Sequence, residues 1–91
     1  MTKVIKFYAD WCGPCKIYAK TFDKVVEEFK DSVEFVNVNV EKDTNGLAAK
    51  FKVSSIPATF IVENETTIRS HVGRLSENDL KKFIKTGFLN E

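Results

Sequence analysis

Ninety-one residues with 43 % hydrophobic and 12 % aromatic content suit one compact domain, residues 1–91, and exclude a disordered or multi-domain chain. Fourteen Lys plus Arg against thirteen Asp plus Glu, alternating in sign along most of the chain, exclude a nucleic-acid footprint. No apolar run approaches the roughly 20 residues that cross a bilayer, and the start MTKVIKFYADW lacks the apolar core and cleavage site of an export signal. A soluble, cytoplasmic protein without membrane partners is therefore expected.

Residues 4–9, VIKFYA, are rich in apolar, aromatic and β-branched side chains and predict a first strand. From Pro14 onward, apolar residues fall at Tyr18, Phe22, Val25, Val26 and Phe29, the spacing of one helix face, and this helix should end near Lys30. Residues 32–40 alternate Val33, Phe35 or Val36, Val38 and Val40 with Glu34, Asn37 and Asn39, which predicts a second strand. Asp43 or Thr44 can cap a short helix carrying Leu47, Ala48 and Phe51, with Gly46 as its weak point. Residues 58–62 and 67–72 read as a hairpin joined by the polar segment 63–66, ENET. Ser76, followed three residues later by Asp79, marks a last helix whose face is Leu80, Phe83 and Ile84 and whose stop is Gly87.

The order β-α-β-α-β-β-α predicts an α/β fold. A helix between the first two strands favours a right-handed crossover and parallel pairing, while the hairpin adds an antiparallel edge. The expected architecture is a four-stranded mixed sheet with three helices distributed over both faces.

The two cysteines sit where the first strand gives way to the first helix. Cys12 falls at the helix N-cap, where unpaired backbone N–H groups and the positive end of the macrodipole favour thiolate over thiol. It is the expected nucleophile. Cys15, one turn further in, can attack a mixed disulfide on Cys12 and is the expected resolving thiol. Pro14 suits the first helical turn, and Gly13 allows close backbone approach beside the sulfurs. In a compartment that keeps thiols reduced, such a pair is usually catalytic or redox-sensing.

Residues 9–16, Ala-Asp-Trp-Cys-Gly-Pro-Cys-Lys, closely resemble the active-site signature of thioredoxins. Residues 55–58, Ser-Ile-Pro-Ala, resemble the family's cis-proline loop, and Val72-Gly73 the glycine after its last strand. The resemblance covers nearly the whole chain and implies the thioredoxin-like fold. It also implies a cis Pro57 facing the cysteine pair and an apolar groove for substrate backbone built from Trp11, Ile56, Pro57, Val72 and Gly73, beside Gly13 and Pro14. The implied activity is reduction of disulfide-containing protein substrates, with re-reduction by a thioredoxin reductase or another thiol donor and no cofactor beyond the Cys12–Cys15 pair. Three departures stand out. Typical members carry a further strand and helix before the first strand; Lys6 occupies the place of a buried acidic residue; and Lys20 replaces a helix-kinking proline.

Other readings compete. A zinc site needs two more ligands, and the chain offers only His71 and scattered carboxylates. A structural staple closing so short a loop contributes about 2 kcal/mol. The short length is compatible with a glutathione-dependent, glutaredoxin-like reductase, although the Gly-Pro spacer is not that family's usual one. A thioredoxin-like binding subunit of a larger complex is a third possibility. Lys6 either snorkels to solvent or stands electrostatically behind Cys15, His71 reads as a hairpin-surface residue, and a Lys-rich exterior without apolar patches points to a monomer.

Overall fold

The computed structural model describes residues 2–89. Four strands, β1 (Thr2–Tyr8), β2 (Glu34–Asn39), β3 (Ala58–Glu63) and β4 (Thr66–Val72), form one sheet in the order β2-β1-β3-β4. Helix α1 (Gly13–Phe29) connects β1 to its parallel neighbour β2, and β1–β3 and β3–β4 are antiparallel. The α/β reading of a four-stranded mixed sheet with three helices is therefore correct.

Alternation along β1 assigns the two faces. Val4 packs with Tyr18, Phe22, Val25 and Phe29 of α1 and with Leu80 and Ile84 of α3 (Glu77–Leu89), so the two long helices share one face. Ile5 and Phe7 point the other way and pack with Val38, Ala58 and Val62. That second face is covered by the short helix α2 (Leu47–Lys50) and by a cluster of Phe7, Phe51 and Phe60, with ring centroids 5.3–5.9 Å apart. The ambiguity at Phe35 or Val36 resolves as both: Phe35 joins the α1/α3 face and Val36 the other. Between α1 and α3, Lys81 reaches Glu28 at 2.9 Å and Glu77 at 3.3 Å. No helix among the described residues is long and apolar enough to cross a membrane.

Several boundaries differ from the sequence expectation, each for a local reason. The segment 63–66 is not all loop. Glu63 and Thr66 pair as the last rung of the hairpin, and only Asn64 and Glu65 turn, both at positive φ (52° and 66°) as a two-residue type I′ connection requires. Gly46 lies outside α2 as its N-cap at φ 65°, and Asp43 does cap the helix, its two carboxylate oxygens accepting from the N–H groups of Leu47 (2.9 Å) and Ala48 (2.7 Å). Phe51 falls at the C-cap of α2, leaving a helix of a single turn. Ser76 caps α3 through the Asp79 N–H at 3.1 Å, as its spacing suggests. Gly87 does not stop α3, which continues to Leu89; one glycine costs a helix about 1 kcal/mol but keeps its backbone hydrogen bonds.

Candidate functional site

Strand register gathers the chemistry-bearing residues at one end of the sheet. Because β1 and β2 are parallel, Tyr8 lies opposite Asn39, and both strands end together. The antiparallel partners bring the start of β3 and the finish of β4 to the same end, with Phe7 opposite Ala58 and Ala58 opposite Val72. Thus segments 9–15, 40, 56–57 and 72–73, far apart in sequence, are assembled by the hydrogen-bond ladder.

Leaving β1, the chain turns through Ala9, whose carbonyl accepts from the Cys12 N–H at 3.2 Å. Cys12 has extended geometry (φ −85°, ψ 105°) and is the N-cap of α1, with Pro14 in the first turn. Its Sγ accepts a hydrogen bond from the Cys15 N–H at 3.2 Å. This backbone donor would otherwise be one of the helix's orphans, and it is aimed at the first sulfur. Cys12 and Cys15 are joined as a disulfide with Cα atoms 5.2 Å apart. Both are buried, 5 % and 3 % exposed, in a small cluster with Ala9 against which Tyr8, Val40 and Ile56 pack.

Around this buried pair the expected groove residues take distinct positions. Trp11 is 66 % exposed and lines a cavity of about 220 Å³ with Ile56, Val40 and Val53. The Ile56-Pro57 bond is cis. Pro57 itself is fully buried, so Ile56 presents the apolar side chain to the cysteines. The Pro57 carbonyl accepts from the Gly73 N–H at 2.8 Å, which pins the end of β4 to the proline loop. Gly73 has φ +102°, a conformation glycine alone adopts readily, whereas exposed Gly13 has no such need: a Cβ there would meet nothing within 4 Å. Val72 is exposed at the same end.

Sequence reasoning missed two supports of the site. Tyr18, read only as part of an apolar helix face, shares a 2.7 Å hydrogen bond with Thr59 Oγ1, both residues fully buried. This bond braces α1, one turn beyond Cys15, against β3, two residues beyond Pro57. Burial pushes the Tyr18 phenol up to about 12, with the Thr59 hydrogen bond opposing. Asn39 Nδ2 donates to Asp10 Oδ1 at 3.3 Å, tying the end of β2 to the turn before Cys12. Their spacings, 41 and 29 residues, carry no local signal.

Lys6 is buried, only 5 % exposed, so it does not snorkel freely to solvent. Its Nζ stands 4.6 Å from the Phe22 ring centroid and 5.4 Å from that of Tyr8, positions that stabilise a cation. Burial lowers its pKa from the ordinary lysine value, while the Asp23 carboxylate acts in the opposite direction. Tyr8 in turn lines a cleft beside Cys15 with Ala9, Asp10 and Ala19. His71 packs against the Phe83 ring (6.2 Å between centroids), a structural position. Among the described residues no group of three or more His, Cys, Asp or Glu side chains could hold a metal ion.

A family model for thioredoxin matches residues 1–86. The chain belongs to the thioredoxin family. It is 37 % identical over 81 residues to thioredoxin from Haemophilus influenzae, spanning 89 % of this chain and 75 % of that protein. With thioredoxin from Mycoplasmoides gallisepticum the identity is 34 % over 82 residues, 90 % and 80 % of the two chains. A solved thioredoxin-2, described as a component of the malaria parasite protein secretion machinery, superimposes with a TM-score of 0.87 at 29 % identity, covering 94 % of this chain and 82 % of that one. With the Cys-Gly-Pro-Cys disulfide in place, membership makes this thioredoxin-family protein a thiol-disulfide oxidoreductase whose redox group is the cysteine pair itself.

Proposed function

We propose that the protein reduces disulfides of other proteins with Cys12 as nucleophile and Cys15 as resolving thiol. In the first step the Cys12 thiolate attacks one substrate sulfur. The substrate S–S bond breaks, one substrate thiolate leaves, and a mixed disulfide forms on Cys12. The Cys15 thiolate then attacks Cys12 Sγ, expelling the second substrate thiolate and closing the Cys12–Cys15 bond. Two electrons have passed from the dithiol to the substrate, and a thioredoxin reductase or another thiol donor returns them.

The observation that carries this assignment is the Cys15 N–H aimed at Cys12 Sγ from the first turn of α1. A donor and the positive helix end favour negative charge on the first sulfur, whereas no corresponding donor among the described residues serves Cys15. Trp11, Ile56, Val72 and Gly73 would hold extended substrate backbone over the pair, beside Gly13 and Pro14, with Pro57 supporting Ile56 from below. A reducing cytoplasm, acting on a monomer, suits this direction of electron flow. The test is trapping: Cys15→Ser should accumulate a mixed disulfide with a protein substrate, and Cys12→Ser should not. Insulin reduction driven in turn by thioredoxin reductase and by glutathione identifies the donor: turnover with glutathione alone would favour the glutaredoxin-like reading, and no insulin reduction with either donor would overturn the proposed reductase.

A further inference from the structure

A third recess opens between α1 and the connection from β4 to α3. This cleft of about 490 Å³ is lined by Ile17, Tyr18 and Thr21 on the helix and by Arg74, Leu75 and Ser76 on the connection. Two links tie it to the site through the chain. Ile17 is two residues beyond Cys15 on the same helix. Arg74 follows Gly73, whose N–H is bonded to Pro57, so the arginine's backbone is fixed relative to the proline loop.

The chemistry of the lining is one-sided. Ile17 is 56 % exposed, and Val72, two residues before Arg74, is exposed as well. Arg74 is the one formally charged residue of the six, and it holds no ion pair among the described residues. A guanidinium is always charged and presents a planar donor array matched to a carboxylate. The recess thus has apolar contact area with a free cation at its rim, on the helix that carries the dithiol.

We infer that Arg74 and Ile17 select substrates, favouring a protein disulfide whose attacked cysteine is flanked by an acidic side chain beside an apolar one. This rests on the proposed function and names the substrate class for the same site. As the flanking segment lies along the end of β4, its carboxylate meets the Arg74 guanidinium and the apolar neighbour covers Ile17. The pair acts on binding of the substrate segment and takes no part in the sulfur chemistry. Charge complementarity near an encounter surface also steers association, an effect that salt weakens.

The experiment uses short disulfide peptides identical except for Glu, Gln or Lys at one position flanking the cysteine, scanned on either side, with kcat/KM measured at low and high salt. The wild type should prefer the Glu over the Lys peptide at one of these positions by roughly fivefold, as an exposed ion pair can supply, and the preference should shrink in high salt. Arg74→Ala should abolish the preference while leaving the Gln peptide within about twofold of wild type, the scale of neutral surface change. Arg74→Lys should keep part of it, and Arg74→Glu should invert it. Lys30→Ala, which removes a positive charge at the far end of α1, should preserve it, and Ile17→Ser should slow peptides with an apolar neighbour more than those with Ser there. Equal rates for the three peptides in the wild type, or an undiminished preference in Arg74→Ala, would overturn the inference. Absence of turnover with every peptide would instead refute the reductase reading beneath it.

Discussion

Replacing Tyr18 by phenylalanine removes one oxygen from the brace between the dithiol helix and the strand that follows the proline loop. The partner, Thr59 Oγ1, is fully buried and 2.7 Å away, so it would be left without a hydrogen bond. An unsatisfied buried hydroxyl costs about 1–3 kcal/mol, and in a domain of this size each kcal/mol lowers Tm by roughly 4–8 °C. Removing both partners together is nearly neutral in principle, so the double variant Tyr18→Phe/Thr59→Val should recover most of the loss. The phenol adds a pH dependence of known sign. Its folded pKa, about 12, lies above the ordinary 10.0, so the folded state keeps the proton more tightly than the unfolded chain. That contribution is fully present below about pH 10 and is lost as pH rises through about 12. At about 1.4 kcal/mol per unit, two units correspond to about 3 kcal/mol. Urea unfolding of wild type and Tyr18→Phe from pH 8 to 12 measures both effects, since the other titrating groups are common to the two proteins. The stability advantage of the wild type should hold to about pH 10 and then shrink or reverse. A constant difference across the range, or a double variant as damaged as the sum of the single ones, would refute the brace.

The two glycines of the site should respond oppositely. Gly73→Ala forces φ +102° on a residue with a Cβ and should cost about 1–3 kcal/mol in urea unfolding, whereas Gly13→Ala, with open space around its Cβ, should leave stability unchanged or slightly higher and instead lower kcat/KM for insulin; equal destabilisation by both would show that the local geometry is misread. In the reduced protein, limited iodoacetamide near neutral pH should label Cys12 before Cys15, checked by peptide mass spectrometry, and preferential labelling of Cys15 would reverse the assignment of roles. Lys6→Met should make the disulfide harder to reduce against a glutathione buffer, because the ammonium favours negative charge nearby; a shift of roughly tenfold in the equilibrium is about 30 mV, and coincident curves would eliminate any electrostatic role. Lys6→Asp should lower stability in urea unfolding, since a buried carboxylate would replace an ammonium seated against two rings, and unchanged stability would count against the buried position of Lys6.

What is local was legible in the sequence. The helix face from Tyr18 to Phe29, the Ser76 cap, and the placement of Cys12 at a strand-to-helix junction each depend on residues within a turn or two of one another, where period and capping rules act directly. The resemblance of three short segments to thioredoxins then supplied the cis Pro57, which local pattern alone does not suggest. The structure decided whatever depends on register and facing. It alone pairs Tyr18 with Thr59 and Asn39 with Asp10, places Phe35 and Val36 on opposite faces, and buries the chain of Lys6 between Phe22 and Tyr8. Sequence pattern shows that Lys6 shares a face with Val4 but not whether helix α1 covers the end of its side chain. The hairpin turn shows the same limit: a positive φ at Asn64 and Glu65 is imposed by the twist of the two strands they join, and Glu65 has no intrinsic preference that would announce it. Local propensity is a property of neighbours along the chain, whereas desolvation, hydrogen-bond partnership and charge environment belong to neighbours in space, which only the packed sheet and helices bring together.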